Sequence, residues 1–229
     1  AMINAAVYVD SGKMDTAISS TSSHFCSAEK QFRFPLEYGG QRPPTAQWTV
    51  TGAGAAMISS KNEKNSPKIE KAILGKMVDK GVKDASNMGA AMAPAAADTI
   101  AAFLTETQTA PEHYDLILTG DLGKVGSKLL YDLLEKEYNI NIRKVHNDTG
   151  LMMYYPDKQD VHAGGSGCGC SAAVFCSLIM RGFSEGKWSR ILFAPTGALM
   201  SPTSTQQGAS IPGICHALAI EKNLPGRGE

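Results

Sequence analysis

Cys168 and Cys170 lie one residue apart in the glycine-rich run GGSGCGCSAAVFCSLIM, and a long apolar segment follows them. Such a pair could bind a metal, exchange electrons, attack a carbonyl, or merely line a turn. Zinc takes about four ligands, and CxC supplies only part of such a set. No second CxC, CxxC or paired histidine stands nearby in the sequence. Redox pairs take CxxC spacing at a helix start. A nucleophilic thiol needs a base beside it, although a helix N-terminus would lower its pKa. Local chemistry favours the fourth reading, a tight strand-to-helix turn. Gly164, Gly165, Ser166 and Gly167 would aim backbone N–H groups at the helix start, where an anion or a carbonyl oxygen is welcome. Cys170 and Cys176 are then small buried hydrophobes, and Cys168 faces the cleft.

Other polar residues compete for roles. His146, Asn147 and Asp148 form the densest polar group in the chain, and turn and binding site fit them equally. Asp121 directly follows the apolar stretch YDLILTG. It is placed either to cap the next helix or to line the rim of a cleft. At such a rim it would repel a dianion unless calcium bridged the two. His24 opens a long loop after SSTSS, either bonded to a backbone carbonyl or acting as a pocket donor. Arg33, between Phe32 and Phe34, is a surface ion-pair residue or a cation held towards a dianion. The Ala/Met surface of MGAAMAP reads as packing.

The elements that must position these groups alternate in type. Ala1 to Asp10 has the pattern of a helix, with Gly12 suited to its C-terminal end. It starts with neither a capping residue nor an initiator Met, which predicts a chain cut inside a helix. Thr16 to Ser23 reads as a buried strand, and Thr49 to Ser60 as a second one with glycines at a bulge or close approach. The polar turn KNEKNSP divides the chain. Lys68 to Val78 reads as a strand, and Pro94 to Thr107 as a helix with Pro in its first turn. Tyr114 to Gly120 is an apolar strand, and Lys124 to Tyr138 an amphipathic helix with Leu129, Leu130, Leu133 and Leu134 inward. A strand near Ile142 to Val145, a helix after the glycine turn to about Gly186, and strands at Arg190–Thr196 and Gly213–Glu221 complete the pattern. The alternation predicts an α/β layered fold with ligands gathered at turns after strands.

Bulk properties exclude several classes. The 229 residues carry 22 Lys and Arg against 22 Asp and Glu, a formal net charge of zero. Neither that balance nor any basic run suits a nucleic-acid binder. No uninterrupted apolar run reaches the roughly 18 residues of a membrane span. Five cysteines, an odd count without disulfide-like spacing, fit a reducing compartment.

Long, unusual motifs then carry a resemblance. GGQRPPTAQWTVTGAG, DASNMGAAMAPAAADTI, YDLILTGDLGKVGS, HNDTGLMMY, AGGSGCGCSA and APTGALMSP resemble the stage V sporulation protein AD family, from about Gly12 to Glu221. That family is similar to the thiolase and ketoacyl synthase fold, layered αβαβα and built of two halves. The resemblance implies that residues 1–60 are the tail of the N-terminal half and 67–229 the C-terminal half. In acyl-transferring relatives a nucleophilic Cys starts a helix of which Ala1 to Asp10 would be the end. A His and an Asn or His come from turns that read here as Gly120–Asp121 and Gly164–Gly165, neither of which handles protons.

The resemblance therefore implies a non-catalytic protein of sporulation and germination. It would bind dipicolinic acid, with or without calcium, and help move it into and out of the spore. The ligand set it suggests is His24, Arg33, Asp121, His146, Asp148, Gly164, Gly165, Ser166 and Gly167, with no metal of the protein's own and no other cofactor. It also implies a homodimer, pairing through an edge strand such as TAISSTSS, peripheral to the cytoplasmic face of the spore inner membrane beside other proteins of the same assembly. An acyl-CoA-type acyltransferase with an altered active site is the alternative.

Overall fold

The structure, a computed structural model, describes residues 1–25, 41–61 and 66–223. Arg33 lies outside the described residues. The chain runs through α1 (Met2–Asp10), β1 (Thr16–Ser23), β2 (Trp48–Thr49), β3 (Gly52–Ser59), β4 (Pro67–Leu74), α2 (Met88–Thr107), β5 (Leu116–Gly120) and α3 (Gly123–Tyr138). It continues through β6 (His146–Asp148), α4 (Thr149–Met152) and β7 (Gly165–Ser166). The helix α5 (Cys170–Ser184), β8 (Arg190–Ala198), α6 (Pro202–Gln206) and β9 (Gly213–Lys222) follow.

Five strands form one mixed sheet in the order β4-β9-β8-β5-β6. β5 runs parallel to both β6 and β8, whereas β9 runs antiparallel to β4 and β8. Strands buried on both faces need apolar side chains at every position, not alternate ones. β5 and β8 meet that need. Ile117 and Leu192 face a core shared with α2 and α3, through Ile100, Phe103, Leu130 and Leu134. Their neighbours Leu118 and Phe193 face the other way, against Phe175, Ile179 and Phe183 of α5 and Ile3 of α1. The sheet is thus covered on both sides, in layers.

β1 and β3 form a separate antiparallel ribbon in register from Thr16↔Ser59 to Ser23↔Gly52. The expected buried strand at Thr16–Ser23 has the right limits but the wrong environment. Alternate residues are exposed, Ile18 at 73%. Only the face towards α1 and α5 is packed. The expected strand from Thr49 to Ser60 is broken in two. Trp48–Thr49 pairs in parallel with Gly165–Ser166, and the chain then leaves to join β1.

Two other boundaries move for identifiable reasons. α2 begins at Met88, not Pro94, because the Asn87 side chain accepts the Ala90 N–H and caps the helix. Its first turns are small residues pressed on α3. A Cβ on Gly89 would stand 2.9 Å from the Gly126 nitrogen, so glycine packs on glycine where the helices meet. α2 is long and apolar enough to cross a membrane by length and composition, yet 67% of its most apolar 18-residue window is buried in the fold. β6 lies at His146–Asp148 instead of Ile142–Val145. Asp148 is the register partner of Thr119, and the hydrogen bond between those two side chains holds the pairing there.

The inward stripe of α3 also shifts. Leu130 and Leu134 are fully buried, but Leu129 is 36% exposed. Leu130→Ala should therefore cost about 2–5 kcal/mol in urea unfolding. Leu129→Ala should cost well under half of that, and equal losses would contradict the packing described.

Candidate functional site

Two strand-to-helix turns meet beside the sheet. One follows β5, at Gly120–Gly123, and the other precedes α5, at Gly164–Gly169. Asp148 holds the first from beneath. Its Oδ2 accepts from the Thr119 hydroxyl at 2.8 Å and the Leu122 N–H at 3.1 Å. Its Oδ1 accepts from the N–H groups of Gly123 at 2.9 Å and Gly150 at 3.0 Å. One carboxylate thus satisfies the first N–H groups of both α3 and α4. Burial pushes the Asp148 carboxyl above its usual range, and the four donors pull it back. With no exposed surface and all its acceptor capacity engaged, Asp148 is a structural hub and not a ligand group.

His146 is likewise committed inside the fold. Thr119 gives its single hydroxyl proton to Asp148, so it accepts from His146 Nε2–H at 2.9 Å. His146 Nδ1 must then accept the Tyr131 hydroxyl, at 2.8 Å. Tyr131, His146, Thr119 and Asp148 form one ordered chain of donors, and burial lowers the His146 pKa to about 4. The polar trio is therefore a strand end and helix cap, with His146 and Asp148 removed from the ligand set for lack of free hydrogen-bonding groups.

The second turn is tied to the first. The Gln47 amide donates to the carbonyls of Asp121 at 2.6 Å and Gly165 at 3.4 Å, which fixes the orientation of that amide. The Asp121 Oδ2 accepts the Gly167 N–H at 3.0 Å. From the other side the Ser23 hydroxyl accepts the Gly169 N–H, and the Thr21 hydroxyl donates to the Cys168 carbonyl. The turn needs its glycines: Gly164 and Gly167 have φ of 119° and 116°, a region that L side chains rarely adopt. The sequence reading expected open N–H groups here. Instead the Gly164 N–H bonds to Val161, Gly165–Ser166 is a buried strand, and the Gly167 N–H meets the Asp121 carboxylate.

Asp121 does not cap α3 as one reading had it. It sits at φ 66°, and its side chain points back to Gly167 while Asp148 does the capping. Beside it opens a cavity of about 180 Å³, bordered by Ser19 and Thr21 of β1, Cys168 and Phe175 of the α5 segment, and Phe193 and Thr196 of β8. Of the residues expected at a site, Asp121 and Gly167 line it. Exposed His24 directly follows β1 and does not line the cavity.

The cysteines divide much as their chemistry suggested. Cys170 is buried, with Sγ 3.8 Å from the Thr149 hydroxyl. Burial, and then the Asp121 carboxylate, push its thiol far above the ordinary range. Cys168 is exposed at the cavity. Cys176 is only half-buried, with its thiol aimed at the Ala55 carbonyl. Among the described residues no cluster of His, Cys, Asp and Glu could hold a metal ion.

Sequence reasoning missed Gln47, Ser171 and Thr196. Thr196 donates to the Gly120 carbonyl, and a Cβ on Gly120 would strike the Ser171 hydroxyl and come 3.4 Å from the Pro195 Cα. These partners are far apart in the chain, and single polar residues gave no local signal.

The family model described as stage V sporulation protein AD matches residues 1–221. The stage V sporulation protein AD of Bacillus subtilis (strain 168) is 48% identical over 218 residues, covering 95% of this chain. The chain spans 63% of that relative's length. Among solved structures, 3-oxoacyl-[acyl-carrier-protein] synthase III from Aquifex aeolicus VF5 matches with a TM-score of 0.52 and 14% identity, over 96% of this chain and 62% of that one. AbyA1, a tetronic acid condensing enzyme, matches at 0.53 and 12%, over 96% and 64%. The fold is thiolase-like, of the ketoacyl synthase III kind.

The partly buried His146 generates a pH prediction. Its pKa is about 4 folded and about 6.5 unfolded. The unfolded chain therefore binds the extra proton between those values, and stability is lost as pH falls through that window. Between pH 7 and pH 4.5 the protein should lose roughly 2–3 kcal/mol more than His146→Gln, read from urea midpoints. Parallel losses would show that His146 is not held neutral.

Proposed function

The chain belongs to the stage V sporulation protein AD family, and from that premise we propose that it is a non-catalytic dipicolinic-acid-binding component of the spore's transport machinery. It would help move the acid, with calcium, into the developing spore and out at germination. It would do so as a homodimer, peripheral to the cytoplasmic face of the spore inner membrane and beside membrane proteins of the same assembly.

The observation that carries the non-catalytic reading is the packing at Gly120. An acyl-transferring relative would need an imidazole at this turn to shuttle protons. Here the position has no room for a Cβ while Ser171 keeps its hydroxyl bonded to Thr149 at 3.1 Å. The buried, high-pKa Cys170 adds no nucleophile to the turn. The cavity supports the binding reading. It combines aromatic wall, in the offset pair Phe175 and Phe193 with centroids 4.8 Å apart, with hydroxyl groups and the Gly167 turn. A flat aromatic acid has a ring face for the first and carboxyl oxygens for the second. Of the proposed ligand residues, Asp121 and Gly167 stand at its wall, and Arg33 remains a proposal from the sequence alone.

Calorimetric titration of the full-length protein with dipicolinate, with and without calcium, should give saturable heat. No heat up to millimolar ligand from folded protein would remove the binding reading. Acetyl-CoA or acetoacetyl-CoA should not turn over. Turnover lost on replacing a cysteine would establish the acyltransferase alternative instead.

A further inference from the structure

Arg42 is buried beside the glycine turn with half of its hydrogen-bonding fork unused. Its side chain is only 10% exposed, and its guanidinium carbon lies 4.6 Å from the centroid of the Trp48 ring. Nη2 donates to the Asp160 carbonyl and to Asp160 Oδ2, each at 3.1 Å. Nη1 is buried and has no hydrogen-bond partner among the described residues. Arg42 takes no part in the wall of the cavity beside Asp121. We propose that Arg42 is the centre of a separate oxyanion-binding site: the carboxylate or phosphate group of a small ligand takes both arms of the guanidinium, in the place that the Asp160 side chain now half fills.

Three features of the structure carry it. The first is the unpaired arm. A buried N–H of a cation is costly to leave without an acceptor. An ion pair that merely buries an arginine is favourable only when the remaining protons are satisfied as well. Here both bonds from Asp160 fall on Nη2, and Nη1 is left over. The second is orientation. The flat guanidinium lies on the Trp48 face, which holds its plane. Trp48 is itself fixed: its N–H donates to the Gly164 carbonyl at 2.8 Å, it pairs with Gly165 in the parallel ladder, and Phe25 stacks on its ring with centroids 5.6 Å apart. A ligand therefore meets an arginine that is already placed, and less freedom is lost on binding. The third is the position of Asp160. His162 Nε2 lies 3.1 Å from Asp160 Oδ1, so Arg42 and His162 approach one carboxylate from two sides. That carboxylate is 80% exposed and swings into water at little cost. Its departure opens the guanidinium to a ligand group of the same chemistry, with His162 alongside. A fork of N–H groups matches a carboxylate or a phosphate in a two-pronged bond, which sets the ligand class.

The test uses two substitutions with opposite expected signs. Full-length wild type, Arg42→Gln and Asp160→Ala, each shown to be folded by its thermal transition, are titrated calorimetrically with inorganic phosphate. A separate series uses dipicolinate with a calcium chelator present. At least one of the two anions should bind wild type, bind Arg42→Gln about tenfold more weakly or worse, and bind Asp160→Ala severalfold more tightly because the internal carboxylate is gone. This pattern with phosphate alone assigns a phosphate-bearing ligand, and with dipicolinate alone a carboxylic acid. Affinity for both anions that Arg42→Gln leaves unchanged would overturn the proposal, and dipicolinate binding of that kind would leave the dipicolinate reading standing. Absence of binding of either anion by wild type and Asp160→Ala would also overturn it. Unchanged or weaker binding of both anions by Asp160→Ala overturns it whether or not Arg42→Gln folds, since that change lies at an exposed side chain.

Discussion

The Asp148 carboxylate is the interaction on which the rest of the site depends. Four donors from three elements converge on it: the Thr119 hydroxyl of β5, the N–H groups that open α3, and the N–H of Gly150 in α4. A buried carboxylate is costly unless it is fully hydrogen-bonded, and here each oxygen takes two donors. The arrangement works in both directions. The helix starts supply the donors that make the buried charge tolerable. The charge in turn fixes where α3 begins, hence where Asp121 stands and which way its side chain points. The two turns are then joined by Gln47 and by the Asp121–Gly167 bond, so that cavity, turns and sheet form one connected polar frame.

Much of the fold was legible in the sequence because its signals are local. The apolar stretch YDLILTG and the run RILFAP read as strands without ambiguity, since strands buried on both faces need apolar residues throughout. The limits of β1 were also readable, but not its one-sided exposure, which depends on what packs against it. Where boundaries failed, a side chain overrode local preference. Pro94 looked like a helix start, yet Asn87 caps the helix two turns earlier. Ile142–Val145 looked like a strand, yet the Thr119–Asp148 bond sets the pairing further on.

The candidate site was less legible, for the same reason in stronger form. Asp121 and Gly167 were readable from their places next to a strand and a helix start, but their contact was not. Nothing in HND distinguishes a ligand group from a buried cap, because the difference lies in partners more than twenty residues away. The family resemblance pointed to the two turns that the structure joins through Gln47 and the Asp121–Gly167 bond. It could not say that Gly120 is closed by Ser171, or that Gln47 is the link between the turns, since both facts belong to packing and not to motif.

The ties between β1 and the start of α5 have a kinetic meaning. Ser23 meets Gly169 and Thr21 meets Cys168, partners 146 and 147 residues apart in the chain. Contacts so distant are slow to form, because a long loop must close before any energy is returned. During synthesis the first strand leaves the ribosome long before its partner turn exists. The ribbon of β1 and β3 must therefore wait, with the face that packs on α5 uncovered, until the glycine turn and α5 arrive. The site is assembled last, and in that interval the exposed ribbon is the part of the nascent chain most open to wrong pairing or to a chaperone.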